Sequence, residues 1–266
     1  GCVAWIRNRV ADARKAYSLL QDASPDQKLM LFHSRYAMGD RLEIEERVLD
    51  RFGKRSGSQD RAGWVLVGTQ VLEQSLDFDV DLMISDLAPI DLIIQRAGRL
   101  HRHLRQANGD LSQDGRDGRP RPELIILSPS LEESPDASWY KTLFPTAAYV
   151  YPDAGKLWLG ANALKEAGNI TTPGEQGEPG AVRHLVEAVY GADLDRVPDE
   201  LRALSLKQID QDMDMQSQAN FNALEIRKGY CMGSSARWYE DDRVPTRLGD
   251  ETLNIYLAVW QDGVLR

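Results

Sequence analysis

The sequence predicts an α/β fold: a mostly parallel sheet with helices on both faces, followed by a helical linker and a small C-terminal domain. Three observations predict it. Five apolar runs fall within the first 128 residues, and stretches of helical periodicity separate them. Apolar strands that alternate with helices are buried on both faces, the habit of parallel sheets. Beyond Arg105, polar turn-rich segments and then further helices replace that alternation. These shifts place a first domain at 1–165, a linker with helices at 166–220 and the small domain at 221–266.

The elements follow in order. "CVAWIR" is the first strand, and Asn8 can cap the next helix, where Val10, Ala13, Tyr17 and Leu20 share a face. "KLMLFHS" is the second strand. Asp40 with Glu43 then predicts a capping box, Ile44, Val48 and Phe52 form a stripe, and Gly53 stops the helix. "WVLVGTQ" and "DLMIS" are the third and fourth strands, and Pro89 suits the first turn of a helix running into "DLIIQRAGRLHRHLR". "RQANGDLSQDGRDGRPRPE", with few apolar residues and nearly balanced charge, is expected to be a mobile loop before the fifth strand, "ELIILS". After a second loop, "NITTPGEQGEPGA", two helices are expected, the later one with an acidic face of Asp210, Asp212 and Asp214. Alternation from Thr252 to Val259 predicts a strand, and Trp238, Tyr239, Tyr256 and Trp260 are expected to fill a small core.

Composition narrows the function. Two cysteines far apart, Cys2 and Cys231, suggest no disulfide framework and point to a reducing cytosol. The four histidines form no zinc-type spacing with them, so no metal site is expected in this chain. No apolar run approaches the ~18 residues of a membrane span, so no membrane partner is expected. A net charge of −9 argues against a protein coated in nucleic acid, though it permits a local basic track. The chain opens at Gly1, directly on a strand and without a methionine, and is expected to be part of a longer product.

Ligands of open α/β sheets bind beyond the carboxyl ends of the strands. There the sequence gathers Asn8, then His33, Ser34 and Arg35, then Thr69 and Gln70, then Asp86. Next come four arginines, Arg96, Arg99, Arg102 and Arg105, at intervals of three. On a helix each step of three turns about 300°, so the four cannot face one phosphate. Arg99 and Arg102 can converge while Arg96 and Arg105 diverge. Gly98, placed in mid-helix at a cost of ~1 kcal/mol relative to alanine, suggests that something approaches the backbone closely.

"QRAGRLHR" resembles the last motif of superfamily-two helicases, Q-x-x-G-R-x-x-R, and "VGTQVLEQSLDFDVDLMISD" and "LFHSRYAMGDRLEIEERVLDRFGK" resemble earlier ones. "TQVLEQSLDFDVD" followed by "DLAPIDLIIQRAGRLHRH" is similar to the helicase–nuclease of type I CRISPR systems, as are "VYPDAGKLWLGANAL", "LVEAVYG" and "VPTRLGDETLNIYL". Where that family usually shows asparagine-threonine-valine, this chain has Asn8-Arg9-Val10. The resemblance implies a RecA-like second helicase lobe that translocates 3′ to 5′ along single-stranded DNA. Arg99 and Arg102 would be arginine fingers on the γ-phosphate of ATP held by another domain, and Gln95 would orient the attacking water or that phosphate. Asp77 would bond the nucleotide sugar or an arginine, with Gly98 beside the nucleotide. Thr69 and Gln70, and less directly Ser34 and Arg35, would touch DNA phosphates. Glu73 and Gln74 would couple the two sites. The C-terminal domain would close over the DNA channel and help meet the RNA-guided surveillance complex.

No G-x-x-x-x-G-K-[ST] loop occurs, and neither "FGKRSG" nor "AGKLWL" supplies one. Nor does any apolar strand lead into an Asp-Glu pair, and no His-Asp dipeptide suits the family's metal nuclease. ATP and Mg2+ would therefore be held mainly by an upstream lobe, and the nuclease metal by a further domain. Alone, the chain is expected to hydrolyse no ATP and cut no DNA. Two alternatives stay open: the second lobe of another superfamily-two motor, an RNA helicase or duplex translocase, or a degenerate lobe kept as a protein-binding scaffold.

Overall fold

The structure is a computed structural model that describes residues 1–74, 76–171, 180–191, 194–222, 260–261 and 264–265. Its elements are β1 (Val3–Ile6), α1 (Val10–Ala23), β2 (Lys28–Phe32), α2 (Met38–Phe52), α3 (Ser58–Arg61), β3 (Trp64–Gly68), α4 (Val71–Gln74), β4 (Leu82–Asp86), α5 (Ile90–Ala97) and β5 (Glu123–Leu127). Then come α6 (Trp139–Leu143), α7 (Ala154–Ala167), α8 (Ala181–Tyr190), α9 (Asp199–Asn222), β6 (Trp260–Gln261) and β7 (Val264–Leu265). The five expected strands form one parallel sheet in the order β2-β3-β1-β4-β5. Parallel pairing brings all their carboxyl ends to one edge.

Alternate residues divide the core between two faces. Ala4, Ile6, Met30, Phe32, Leu66 and Met83 pack on one face with Val48 and Phe52 of α2, the predicted stripe. On the other, Ala13 and Ala16 of α1, with Tyr17 and Leu20, meet Trp5, Leu31, Val65 and Val67. The cover is incomplete at the edge strand β5, where Ile125 and Leu127 are 45% and 37% exposed. A third cluster joins Leu87 and Ile90 to Tyr140, Leu157, Leu185 and Leu201, so helices expected as a linker pack against α5. Gly1–Leu206 forms one compact unit and Lys207–Arg266 another.

Several local expectations are corrected. Arg9, not Asn8, occupies the cap position of α1, and no side chain caps it. Helix α2 starts at Met38 behind Ala37, so Asp40 lies in its first turn and the Asp40–Glu43 box does not form. Gly53 does end α2, its N–H donating to the Leu49 carbonyl at 2.8 Å. Pro89 precedes the first residue of α5. The arginine run is not one helix: α5 stops at Ala97, Gly98 is its cap rather than a mid-helix residue, and Leu100 forms a parallel bridge with Val80. The segment 106–122 is not loose. The Gly118 N–H donates to the Arg105 carbonyl at 2.7 Å, Ser112 to Leu104 at 2.9 Å, and the Arg119 side chain is 3% exposed. The expected strand at Thr252–Val259, with Trp238, Tyr239 and Tyr256, lies outside the described residues, as do 172–179 of the second loop. Trp260 lies in the short antiparallel pair β6–β7.

Gly68, last in β3, shows how tightly the edge is built. A Cβ there would strike the Leu72 side chain and come within 2.8 Å of the Phe32 carbonyl on the neighbouring strand. Leucine can rotate, but strand backbone cannot. Gly68→Ala is expected to destabilise the chain by about 1–3 kcal/mol, read as a lower denaturant midpoint with an unchanged slope.

Candidate functional site

The lateral order along the carboxyl edge is His33–Arg35 after β2, Thr69–Gln70 after β3, Arg7–Asn8 after β1 and Asp86 at the end of β4. Ser34 and Arg35 are exposed there. Thr69 is 2% exposed, so its side chain offers a ligand almost no surface. Gln70 is half-buried, and its amide donates to the Asn8 carbonyl at 2.7 Å and to the Tyr151 hydroxyl at 3.0 Å.

Asn8 is the residue whose role sequence reasoning missed. Its side chain turns inward, where Nδ2 donates to the Leu87 carbonyl at 2.7 Å and the Tyr140 hydroxyl at 3.0 Å, and Oδ1 accepts from Arg96 at 3.2 Å. Its backbone N–H donates to Asp86 at 3.1 Å, and Arg7 donates to the same carboxylate at 2.8 Å. Burial pushes the Asp86 carboxyl up, against the pull of Arg7. An asparagine beside a helix start suggests a cap, and nothing local distinguishes it from one committed to partners 79 and 132 residues away.

The three-residue arginine interval acquires a physical reason. The segment from Glu73 to Asp79 runs beside the segment from Arg96 to Arg105 and supplies an acceptor for each guanidinium. Arg96, 0% exposed, donates to Glu73 at 2.6 Å, Ser85 at 2.7 Å and the Asp86 carbonyl at 3.0 Å. Arg99 donates to the Glu73 carbonyl at 2.8 Å, and Arg102 binds the Asp77 carboxylate. Arg105, 0% exposed, donates to Asp79 at 2.6 Å and to the carbonyls of Ser56 and Gly53 at 2.6 and 2.9 Å. For Arg96 and Arg105 the anion is the protein's own.

Arg99 and Arg102 differ from those two. Arg102 is 41% exposed in its side chain and Asp77 53%, so their ion pair lies in water and contributes about 0–1 kcal/mol. The hydrogen bond from Arg102 holds the Asp77 carboxyl below its usual value. Arg99 is half-buried, and its Nε is covered without a partner. Burial first, then the like charge of Arg102, lowers the Arg99 pKa. Gln95 and Gly98 are exposed beside them. Gly98 has an ordinary φ of −65°, and a Cβ there would meet only the Gln95 and Ile94 carbonyls, at 3.4 and 3.6 Å. Among the described residues, nothing demands glycine at this cap. Glu73 is 3% exposed, its carboxyl raised by burial against the pull of Arg96, and its Oε2 has no partner. Gln74 closes α4, and its side chain lies outside the described residues.

A second charged cluster underlies the arginine segment. Arg61, Arg105 and Arg119 all reach Asp79, at 3.0, 2.6 and 3.0 Å. Arg61 and Arg119 also reach Asp81, at 2.9 and 2.8 Å. Burial alone would raise the Asp81 carboxyl, but the Arg119 hydrogen bond and the Arg61 charge outweigh it and hold the group at about 2, against 3.8 for a free aspartate. A folded value below the unfolded one stabilises the fold above pH ~4, and that stabilisation, about 2 kcal/mol, is lost as pH falls towards 2. Asp81→Asn is expected to flatten this acid limb in stability measured from about pH 5 to pH 2. An acid limb as steep as that of the unsubstituted chain would contradict the assignment. Among the described residues, no group of histidine, cysteine or acidic side chains is arranged to hold a metal ion.

Known proteins share the sequence and fold of this chain. The family described as CRISPR-associated nuclease/helicase Cas3, C-terminal, matches residues 1–105. The CRISPR-associated endonuclease/helicase Cas3 of Escherichia coli (strain K12) is 45% identical over 98% of this chain and 25% of its own length. The crystal structure of T. fusca Cas3 with AMPPNP superposes with a TM-score of 0.70 at 31% identity, over 94% of this chain and 26% of the other. A chain in a CRISPR RNA-guided surveillance complex, pre-nicking, gives 0.58 at 33% identity, over 82% of this chain and 24% of that one. The chain thus spans about a quarter of the length of these relatives. With its parallel RecA-like sheet and its arginine segment, the chain belongs to the CRISPR-associated Cas3 family, whose C-terminal part it matches.

Proposed function

We propose that this chain is the second motor lobe of an ATP-dependent, single-stranded DNA translocase and helicase that unwinds target DNA for degradation in type I CRISPR interference. One observation carries the reading: of four evenly spaced arginines, Arg96 and Arg105 are fully buried on internal acceptors, while Arg102 is exposed and Arg99 half-buried, beside the exposed Gln95 and Gly98. Two adjacent guanidiniums with donors to spare suit phosphate oxygens. The crystal structure of T. fusca Cas3 with AMPPNP supports nucleotide binding in this family.

ATP and Mg2+ are held mainly by an upstream lobe in this reading, and the nuclease metal by another domain. Bound between the lobes, the nucleotide supplies the driving force of γ-phosphoryl transfer. Arg99 and Arg102 place positive charge where the transferred phosphoryl group gains negative charge, and Gln95 orients water towards it. Asp77 holds Arg102 and lies within reach of the nucleotide sugar, and Gly98 lets the nucleotide approach the α5 cap. Ser34 and Arg35 offer side chains to the DNA backbone, whereas Thr69 and Gln70 contribute through backbone N–H groups. Glu73 and Gln74 lie between the two sites.

Residues 1–165 are the motor lobe, 166–220 a linker whose helices brace it, and 221–266 a small domain at the DNA channel. The RNA-guided surveillance complex is the partner, and the cytoplasm the compartment. No helix among the described residues is long and apolar enough to cross a membrane. The test is ATPase activity with single-stranded DNA, on this chain alone and on one polypeptide joining it to an upstream lobe. Silence alone and activity when joined are expected. Activity from this chain alone would overturn the division of labour, and silence from both would turn the reading towards a scaffold.

A further inference from the structure

Gln70 and Arg99, the residues proposed for DNA and for nucleotide, are joined by an unbroken line of short contacts. The Gln70 amide donates to the Asn8 carbonyl at 2.7 Å, and the Asn8 side-chain oxygen accepts from Arg96 at 3.2 Å. Arg96 donates to the Glu73 carboxylate at 2.6 Å, and the Glu73 carbonyl accepts from Arg99 at 2.8 Å. The middle of the line is dry: Asn8 is 1% exposed, Arg96 0% and Glu73 3%. A buried donor or acceptor that loses its partner costs about 1–3 kcal/mol, and more when charged. Neither end can move without either dragging its neighbours or breaking such a bond.

We infer that Asn8 and Arg96 are positioning residues that link the DNA-contacting strand ends to the arginine finger. The inference rests on the proposed function and adds to it the residues through which one site senses the other. Arg96 is suited to the task because its planar fork spans Glu73, Ser85, the Asp86 carbonyl and Asn8 together. A lysine there keeps the charge facing Glu73 but cannot span all four. Asn8 contributes through two atoms: its carbonyl faces Gln70 and its side-chain oxygen faces Arg96. Its amide nitrogen is fixed on Leu87 and Tyr140, so the residue is held from a third direction.

Binding couplings are reciprocal: if DNA tightens nucleotide binding, nucleotide tightens DNA binding by the same factor. The experiment is therefore an equilibrium one. Affinity for a non-hydrolysable ATP analogue is measured on the polypeptide joining this chain to its upstream lobe, with and without a single-stranded oligonucleotide. Unsubstituted protein is expected to show a factor of about 5–150. In Arg96→Lys and in Asn8→Ala that factor is expected to fall below about twofold, with affinity for the analogue alone little changed, a pattern that mere loss of structure would not give. A coupling factor that survives in either folded variant overturns the inference. Failure of both variants to fold, judged by circular dichroism, overturns it too, because the line would then serve structure alone. No coupling in unsubstituted protein would sink the motor reading itself, and this inference with it.

Discussion

Replacing Asp79 by alanine is expected to lower the unfolding free energy of this chain by about 3–5 kcal/mol, the range for a buried pair stripped of one partner. Asp79 is 0% exposed; its carboxylate accepts from Arg105 at 2.6 Å and Arg119 at 3.0 Å and pairs with Arg61 at 3.0 Å, which donates to the Asp79 backbone carbonyl at 2.9 Å. Alanine would leave three guanidiniums close together, with Asp81 between Arg61 and Arg119, Asp117 on Arg119, and no carboxylate left for Arg105 among the described residues. The cost is chiefly that of uncompensated buried charge, not the net worth of the ion pairs. Asp79→Asn separates the two quantities. It keeps the shape and one acceptor oxygen but no charge, and should fall between alanine and the unsubstituted chain. Urea titration at neutral pH reads both. A loss below about 1 kcal/mol for Asp79→Ala would mean that the cluster is hydrated.

Arg99→Ala and Arg102→Ala are expected to do the reverse, sparing the fold and abolishing turnover. In a polypeptide that carries the upstream lobe, each should reduce ATP hydrolysis by a factor approaching ~10³–10⁵, the usual worth of an arginine finger. Arg99 should be the more costly, because its half-buried side chain is already held by the Glu73 carbonyl, whereas Arg102 must first leave Asp77. The double variant should lose little more than the worse single one, since residues acting on one transition state are far from additive. Thermal stability should change little for Arg102→Ala, because an exposed ion pair is worth about 0–1 kcal/mol. Four arginines at equal intervals would thus divide, Arg105 read out by unfolding through Asp79, Arg96 by coupling, and Arg99 and Arg102 by turnover.

The sheet was legible because each strand carries an apolar run, as burial on both faces requires, although the edge strand β5 is incompletely covered. The α2 stripe of Ile44, Val48 and Phe52 was legible for the same reason of periodicity. The destinations of the arginines were not. Helical spacing separates Arg96 and Arg105 from Arg99 and Arg102, but the helix ends at Ala97, and their acceptors on the facing segment lie 23–26 residues earlier, aligned by the bridge between Val80 and Leu100. Such pairing has no local signal. Asn8 and Asp40 were misjudged as caps because residues of their type favour helix starts, and packing assigned Asn8 a deeper task. The 106–122 segment has the composition of a loose loop. Its charges nevertheless close on one another and on the core, with Arg119 held by Asp79, Asp81 and Asp117. Thr69 stands where a strand-end ligand residue should, yet folding covers its side chain.

In the proposed mechanism Arg99 reaches across to a nucleotide held by another lobe. Single-turnover ATP cleavage tests it most directly, on the joined polypeptide with saturating single-stranded DNA, comparing unsubstituted protein with Arg99→Ala. A cleavage rate lower by ~10³ or more is expected, with affinity for a non-hydrolysable analogue changed by less than about tenfold. A rate within about tenfold of the unsubstituted protein would contradict it.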